Sequence, residues 1–248
     1  MRILITNDDG IHAPGIKALE EAVREFSDDI WVVAPETPQS GVGHSISFHN
    51  PLLSIKHDER HFGVKGTPAD SVIFALNGIL KDKKPDLVLS GINQGANQSS
   101  DITCSGTISA AIEATVHGIK AIAFSQCGFK NTKWDTSKHF IKKMFKNLVA
   151  FEIPKDEFLS VNFPDALVDD VKGIKPAVQS IAKLRDLVGP IKHHFDFDYY
   201  WVGDLAFDKD LTGNYDYCLL NDKYVIVTPL KINLTSFNSI TKLEKISW

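Results

Sequence analysis

Short apolar runs alternate with amphipathic stretches along the first part of the chain, and that alternation predicts an α/β fold. Arg2 to Asn7 reads as a mostly apolar strand. Ile16, Leu19, Val23 and Phe26 then recur at helical spacing behind Pro14, a residue suited to the first turn of a helix. Ile30 to Ala34, Asp86 to Ser90 and Lys120 to Phe124 repeat the strand pattern, and such unbroken Val/Ile/Leu runs suit strands covered on both faces. Between the last two, Ile108, Ala111, Ile112, Thr115 and Val116 mark one face of a helix that Gly118 ends. Strand, loop, helix, strand implies right-handed parallel crossovers, hence a Rossmann-like, mostly parallel sheet flanked by helices.

Thr67-Pro68-Ala69-Asp70 predicts another helix start, with Thr67 as N-cap, Pro68 in the first turn and Asp70 as a capping-box acid. Asp135 to Phe151 is a further amphipathic helix with a lysine-rich solvated face. After Pro154 the texture changes: Phe158 to Phe163, Phe197 to Val202 and Tyr224 to Thr228 read as strands between long polar stretches. The chain therefore divides into an α/β core, 1–153, and a β-rich C-terminal extension, 154–248, that completes the core. Phe195, Phe197, Tyr199, Tyr200 and Trp201 are read as core in preference to an interface, because aromatic-rich strands more often pack inward.

Charge narrows the functional classes. A net charge of -4 gives no global reason to bind a nucleic-acid polymer or an anionic membrane. Cys104, Cys127 and Cys218 form no C-x-x-C pair, and no apolar run reaches membrane-spanning length. The absence of a signal-peptide pattern predicts a cytoplasmic protein.

In an open parallel sheet, ligands gather beyond the carboxyl ends of the strands, and the most polar segments of this chain follow those ends. Asn7-Asp8-Asp9-Gly10 follows the first strand, Gln39-Ser40-Gly41 the second, and Ser90-Gly91-Ile92-Asn93-Gln94-Gly95-Ala96-Asn97 a later one. Neighbouring side chains on a strand point to opposite faces, so Asp8 and Asp9 converge only if the chain turns there. Two carboxylates brought together repel unless a cation sits between them, and these loops supply the hard oxygen donors that suit Mg²⁺, Mn²⁺ or Ca²⁺. The plainer reading is that Asp8 caps a turn while Asp9 faces water. His12 and His44 read as surface or hydrogen-bonding residues, and no His/Cys set for zinc is apparent. Cys104-Ser105-Gly106-Thr107 opens a helix whose unpaired N–H groups could receive a phosphate, although one hydroxyl there could equally serve only as N-cap.

As an ordered set, Asn7-Asp8-Asp9-Gly10 with Ala13-Pro14-Gly15-Ile16, Ser40-Gly41, Gly66-Thr67-Pro68, Ser90-Gly91-Ile92-Asn93 with Gly95 and Asn97, and Ser105-Gly106-Thr107 resembles the SurE survival-protein family. Val161-Asn162-Phe163-Pro164, Asp216 and Tyr224 to Leu230 extend the match more weakly. The resemblance implies a divalent-metal-dependent phosphatase acting on nucleoside 5′- and 3′-monophosphates, and in some members on short polyphosphate. It places metal ligands on Asp8, Asp9, Ser40 and Asn93, and phosphate contacts on Asn97, Ser105, Gly106 and Thr107. One Mg²⁺ or Mn²⁺ per subunit is implied, with Ca²⁺ as a crystal substitute. A homodimer or homotetramer is implied too, the C-terminal extension mediating it. The chain departs at Cys104, where an aromatic is usual, and over 177–196, where no pattern aligns.

The mechanism expected from this reading is direct attack by metal-activated water, with Asp8 and Asp9 as the catalytic pair that orients the water or takes its proton. An aspartyl-phosphate route fits less well, since the haloacid-dehalogenase signature separates its two aspartates by one residue. The rival class is a non-catalytic nucleotide-binding regulator, which would return bound nucleotide unhydrolysed. A dinucleotide-dependent oxidoreductase lacks its G-x-G-x-x-G turn after the first strand.

Overall fold

Residues 1–181, 188–191, 199–202 and 212–246 are described by a computed structural model. Its order is β1 (Arg2–Thr6), α1 (Pro14–Val23), β2 (Asp29–Pro35), β3 (Leu53–Lys56), β4 (His61–Lys65), α2 (Pro68–Phe74) and β5 (Leu87–Gln94). Then come α3 (Gly106–Val116), β6 (Ala121–Gln126), α4 (Trp134–Ala150), β7 (Glu157–Phe163), β8 (Gly173–Pro176), β9 (Val188–Ile191), β10 (Tyr199–Val202), α5 (Asp216–Asn221), β11 (Tyr224–Lys231) and α6 (Phe237–Leu243).

Among these residues nine strands form one sheet in the order β3-β4-β2-β1-β5-β6-β7-β11-β8. From β4 to β7 all neighbours are parallel; β3 and β11 are antiparallel to the strands they join, and β8 runs parallel to β11. Both faces of the central strands are dry. Ile3 and Ile5 of β1 point to the side covered by α1 and α4, against Leu19, Ile141 and Phe145. Leu4 points to the other side, against Val72 of α2 and Ile108 and Ala111 of α3. This explains why the runs lack hydrophobic alternation: Ile3, Leu4 and Ile5 each pack in a helix-covered core, whichever way they face.

The chain leaves β1 for β2 on one side and later returns to β5 on the other. That reversal opens a crevice beyond the carboxyl ends of β1 and β5, where α/β sheets place their ligands. The predicted cap of α2 is present: Thr67 Oγ1 accepts from Asp70 N at 3.1 Å, and Thr67 N donates to Asp70 Oδ2 at 2.9 Å.

The later chain is less segregated than its texture suggests. β7 and β11 join the main sheet, and Leu159, Val161, Phe163 and Val225 lie in the same core as β1. β10 instead pairs with β9 in a separate two-stranded sheet. Tyr200, read as core, is 56% exposed there. Among the described residues β10 pairs with β9 alone, and a two-stranded ribbon buries less than a wider sheet does. Phe195 and Phe197 lie outside the described residues. The hairpin β3–β4 was not anticipated, because its half-exposed residues carry no long apolar run.

Candidate active site

Gly10, with φ of +98°, takes the turn after β1 that a residue with a side chain would resist. Asn7 secures it by donating from Nδ2 to Gly10 O at 2.9 Å. The backbone then ties the first two loops together: Ile11 N donates to Pro35 O at 2.8 Å and Gln39 N to Asp8 O at 2.7 Å. These bonds bring Ser40 alongside the aspartates.

At β5, the ladder with β6 carries one extra residue between Ser90 and Asn93, so Asn93 turns relative to the regular pleat. Its Nδ2 donates to Gly95 O at 2.9 Å, which leaves Oδ1 as its unspent acceptor. The result is a cleft of about 280 Å³ lined by Asp8, Asp9, Ser40, Asn93, Asn97 and Ser105. The four residues proposed as metal ligands offer two carboxylates, a hydroxyl and an amide oxygen to this one space. An all-oxygen set fits a hard divalent cation such as Mg²⁺ or Mn²⁺.

The phosphate-contact set divides. Ser105 lines the cleft and caps α3, its Oγ accepting from Ile108 N at 3.1 Å, so capping uses its lone pair and leaves its O–H to donate. Asn97 spends one amide hydrogen on Ser125 Oγ at 2.9 Å and is held by a backbone exchange with Asn162. Its second amide hydrogen remains for a ligand. Thr107 stands one layer back: fully buried, it donates its hydroxyl to Asp8 Oδ1. Gly106 makes room for that contact, since a Cβ there would come within 2.7 Å of Asp8 Cβ. Thr107 and Gly106 thus set the aspartate, and Ser105 and Asn97 face the cleft.

Burial dominates the electrostatics. Loss of water raises the Asp8 carboxyl to about 6; the Thr107 hydroxyl pulls the other way, and the neighbouring Asp9 charge adds a further rise. Burial also raises Asp9, against the Gln94 N–H that donates to its Oδ2 at 3.0 Å. The folded metal-free protein therefore keeps the Asp8 proton up to about pH 6, whereas the unfolded chain releases it near 3.8. Unfolding sheds a proton in that window, so this carboxyl lowers stability as pH climbs from about 4 to 6 and holds it down above. By linkage the effect is on the order of 2–3 kcal/mol. Asp8→Asn is accordingly expected to be more stable than the parent in EDTA at pH 7.5, with the gap closing towards pH 4. Chemical denaturation at both pH values measures this, and a less stable variant at pH 7.5 would contradict the burial argument.

Sequence reasoning missed Asp101, a third carboxylate lining the cleft, which sits in a one-turn helix (Ser99–Thr103) without periodicity. It also missed a nitrogen-bearing cluster. His12, Glu36 and His57 converge with one another: His57 Nε2 is 2.9 Å and His12 Nε2 3.8 Å from the Glu36 carboxylate. This corrects the expectation that no His set exists, since His57 arrives from the unanticipated hairpin. These residues could hold a metal ion through two imidazoles and a carboxylate. His44 is hydrogen-bonding as expected, 2.8 Å from Glu113.

Known proteins resemble this chain over nearly its whole length. The family model described as Survival protein SurE matches residues 3–186. The curated 5′-nucleotidase SurE of Methylobacterium nodulans is 42% identical, covering 99% of this chain and 99% of its own length. That of Parvibaculum lavamentivorans is also 42% identical, over 95% of this chain and 87% of the relative. Among solved structures, the SurE protein from Aquifex aeolicus superposes with a TM-score of 0.87 at 39% identity, covering 99% of this chain and all of the other.

Proposed function

This chain belongs to the Survival protein SurE family, and from that premise we propose that it is a divalent-metal-dependent 5′-nucleotidase. The observation that carries the metal dependence is the convergence of Asp8, Asp9, Ser40 and Asn93 on one cleft, with two part-dry carboxylates side by side and no cationic side chain among the described residues that line it. Left alone, that pair repels.

When bound by those four oxygens, a divalent cation supplies positive charge to a phosphoryl oxygen and makes water a better nucleophile. The chain does the rest. Thr107 fixes Asp8 through Oδ1 and the Gln94 N–H fixes Asp9 through Oδ2, so each carboxylate keeps one oxygen for the reaction. The pair orients water for attack on phosphorus and accepts its proton. The free hydrogens of Asn97 and Ser105 stabilise charge on the nonbridging oxygens, aided by the N-terminus of α3. Burial holds these groups in place before substrate arrives.

The side chains around the proposed phosphate position address the phosphoryl group and not its point of attachment. Hydrolysis of 3′-monophosphates and short polyphosphate, implied by the resemblance, is therefore part of the proposal. No helix among the described residues is long and apolar enough to cross a membrane. The substrate proposed is a free nucleoside monophosphate, and the assembly a homodimer or homotetramer.

Phosphate release from nucleoside 5′- and 3′-monophosphates, polyphosphate and simple phosphomonoesters, each with Mg²⁺, Mn²⁺ and excess EDTA, tests the reading directly. Nucleoside monophosphates should be cleaved with either ion and become inert in EDTA. Undiminished turnover in EDTA would remove the metal; inert nucleotides under every condition would remove the nucleotidase.

A further inference from the structure

Phe129 stands at the rim of the same cleft with 71% of its surface in solvent. A ring so exposed on a floppy loop would carry little meaning, but this one rests on a tethered backbone. Gln94 donates from Nε2 to Phe129 O at 3.0 Å and to Thr132 Oγ1 at 2.9 Å. Thr132 Oγ1 donates in turn to Gly128 O at 3.0 Å, and Cys127 N to Phe163 O at 2.9 Å. Gly95, at the foot of the ring, has no side chain to cover it; a Cβ there would lie 3.1 Å from Phe129 Cζ.

Gln94 also ties the two ends of the cleft to each other. Its backbone N–H holds Asp9, while its side chain holds the loop of Phe129. The aromatic face is thus fixed relative to the carboxylates that define the phosphate position. Its occupant follows from size. At about 280 Å³ the cleft lies at the lower edge of the roughly 300 Å³ and upward found for small-molecule sites. Phosphate and ribose fill such a space, and the rest of a nucleotide must project over the rim.

We propose that Phe129 is the nucleobase platform of this protein, stacking on the base of a nucleoside monophosphate whose phosphate lies at Asp8, Asp9 and Ser105. The inference rests on the nucleotidase reading and adds what that reading lacks, a reason for the cleft to prefer a nucleotide over a bare sugar phosphate. Because every base has a π-face, such a platform admits all bases and favours the larger purines by area of overlap.

The test compares Phe129→Ala and Phe129→Trp with the parent on adenosine 5′-monophosphate and on ribose 5-phosphate, which is the same ester without its base. Phe129→Ala should raise KM for the nucleotide by roughly 5- to 100-fold, the range of one lost base stack. kcat should hold, and the kinetics on ribose 5-phosphate should not move. Phe129→Trp should keep the parent KM or lower it. A nucleotide KM within twofold of the parent in Phe129→Ala would overturn the platform. So would an equal loss on both substrates, whether from altered folding or from a smaller particle on size exclusion, the mark of a ring buried between copies. If the parent cleaves ribose 5-phosphate but not the nucleotide, the nucleotidase reading falls and the platform with it. A parent active on both with no response to the ring removes the platform alone.

Discussion

Asp9→Asn should leave a folded protein that no longer turns over. The substitution keeps the shape of the side chain, and an asparagine Oδ1 can still accept the Gln94 N–H that now reaches Asp9 at 3.0 Å. On the proposed mechanism, what disappears is the charge that repays a cation for its lost water and the basic oxygen that takes a proton. The expected loss in kcat/KM is on the order of 10³-fold, the combined scale of a general base and a metal ligand. Thermal melts in EDTA should show no loss of stability, because burial works against ionised Asp9 in the metal-free fold. Isothermal titration with Mn²⁺ separates the two roles, with weakened binding expected alongside the lost rate. Activity within tenfold of the parent at saturating metal would mean that Asp9 lies outside the machinery.

Gly15→Ala should be nearly as damaging, through packing. A Cβ at position 15 would lie 1.9 Å from Ile92 O and 3.1 Å from the Trp134 ring. The first obstacle is backbone in the sheet and cannot swing aside, so α1 or β5 must shift by more than an ångström. Overpacking of this kind costs about 1–3 kcal/mol or more. Ile92 precedes Asn93, so the displacement is delivered to the proposed ligand itself, and misplacement on that scale costs roughly 10²-fold in rate. Gly118→Ala is the control. Its φ of +72° strains a side chain, yet nothing lies within 4 Å of the added carbon and the position is remote from the cleft. It should lose some stability and keep its activity. Equal losses of activity in the two variants, measured with urea melts to check folding, would refute the packing argument.

These positions also show what a sequence can disclose. β1, β2, β5 and β6 are legible because the middle residues of a doubly covered strand meet apolar cores on both faces, so the pattern is imposed from both sides. The cap at Thr67 is legible because donor and acceptor lie three residues apart. The loops bearing Asp8, Ser40 and Asn93 are legible as polar interruptions at strand ends. The bond from Thr107 to Asp8 is another matter. It joins residues 99 apart, and nothing local distinguishes a hydroxyl aimed at phosphate from one aimed at a carboxylate. His12, Glu36 and His57 meet for the same non-local reason, and their meeting requires the hairpin that lacked an apolar signal. Phe129 is silent in sequence because a lone aromatic in a loop has no period to betray its direction.

The position of β1 between β2 and β5 has a consequence for how the molecule comes into being. β1, which leads into the aspartates, is made before both of its neighbours, and the second of these, β5, pairs Leu87 with Ile3 and Ser90 with Thr6. During synthesis, then, the aspartates must wait for most of a hundred residues of chain before the crevice has two walls, a non-local closure of the kind that slows folding and exposes unpaired strand edges meanwhile. An emerging polypeptide stalled after β4 would hold β1 with one bare edge and would lack Asn93 altogether. On the proposed mechanism, loading of a cation at Asp8, Asp9, Ser40 and Asn93 should therefore report the insertion of β5, which would make metal uptake a clock for the late steps of assembly.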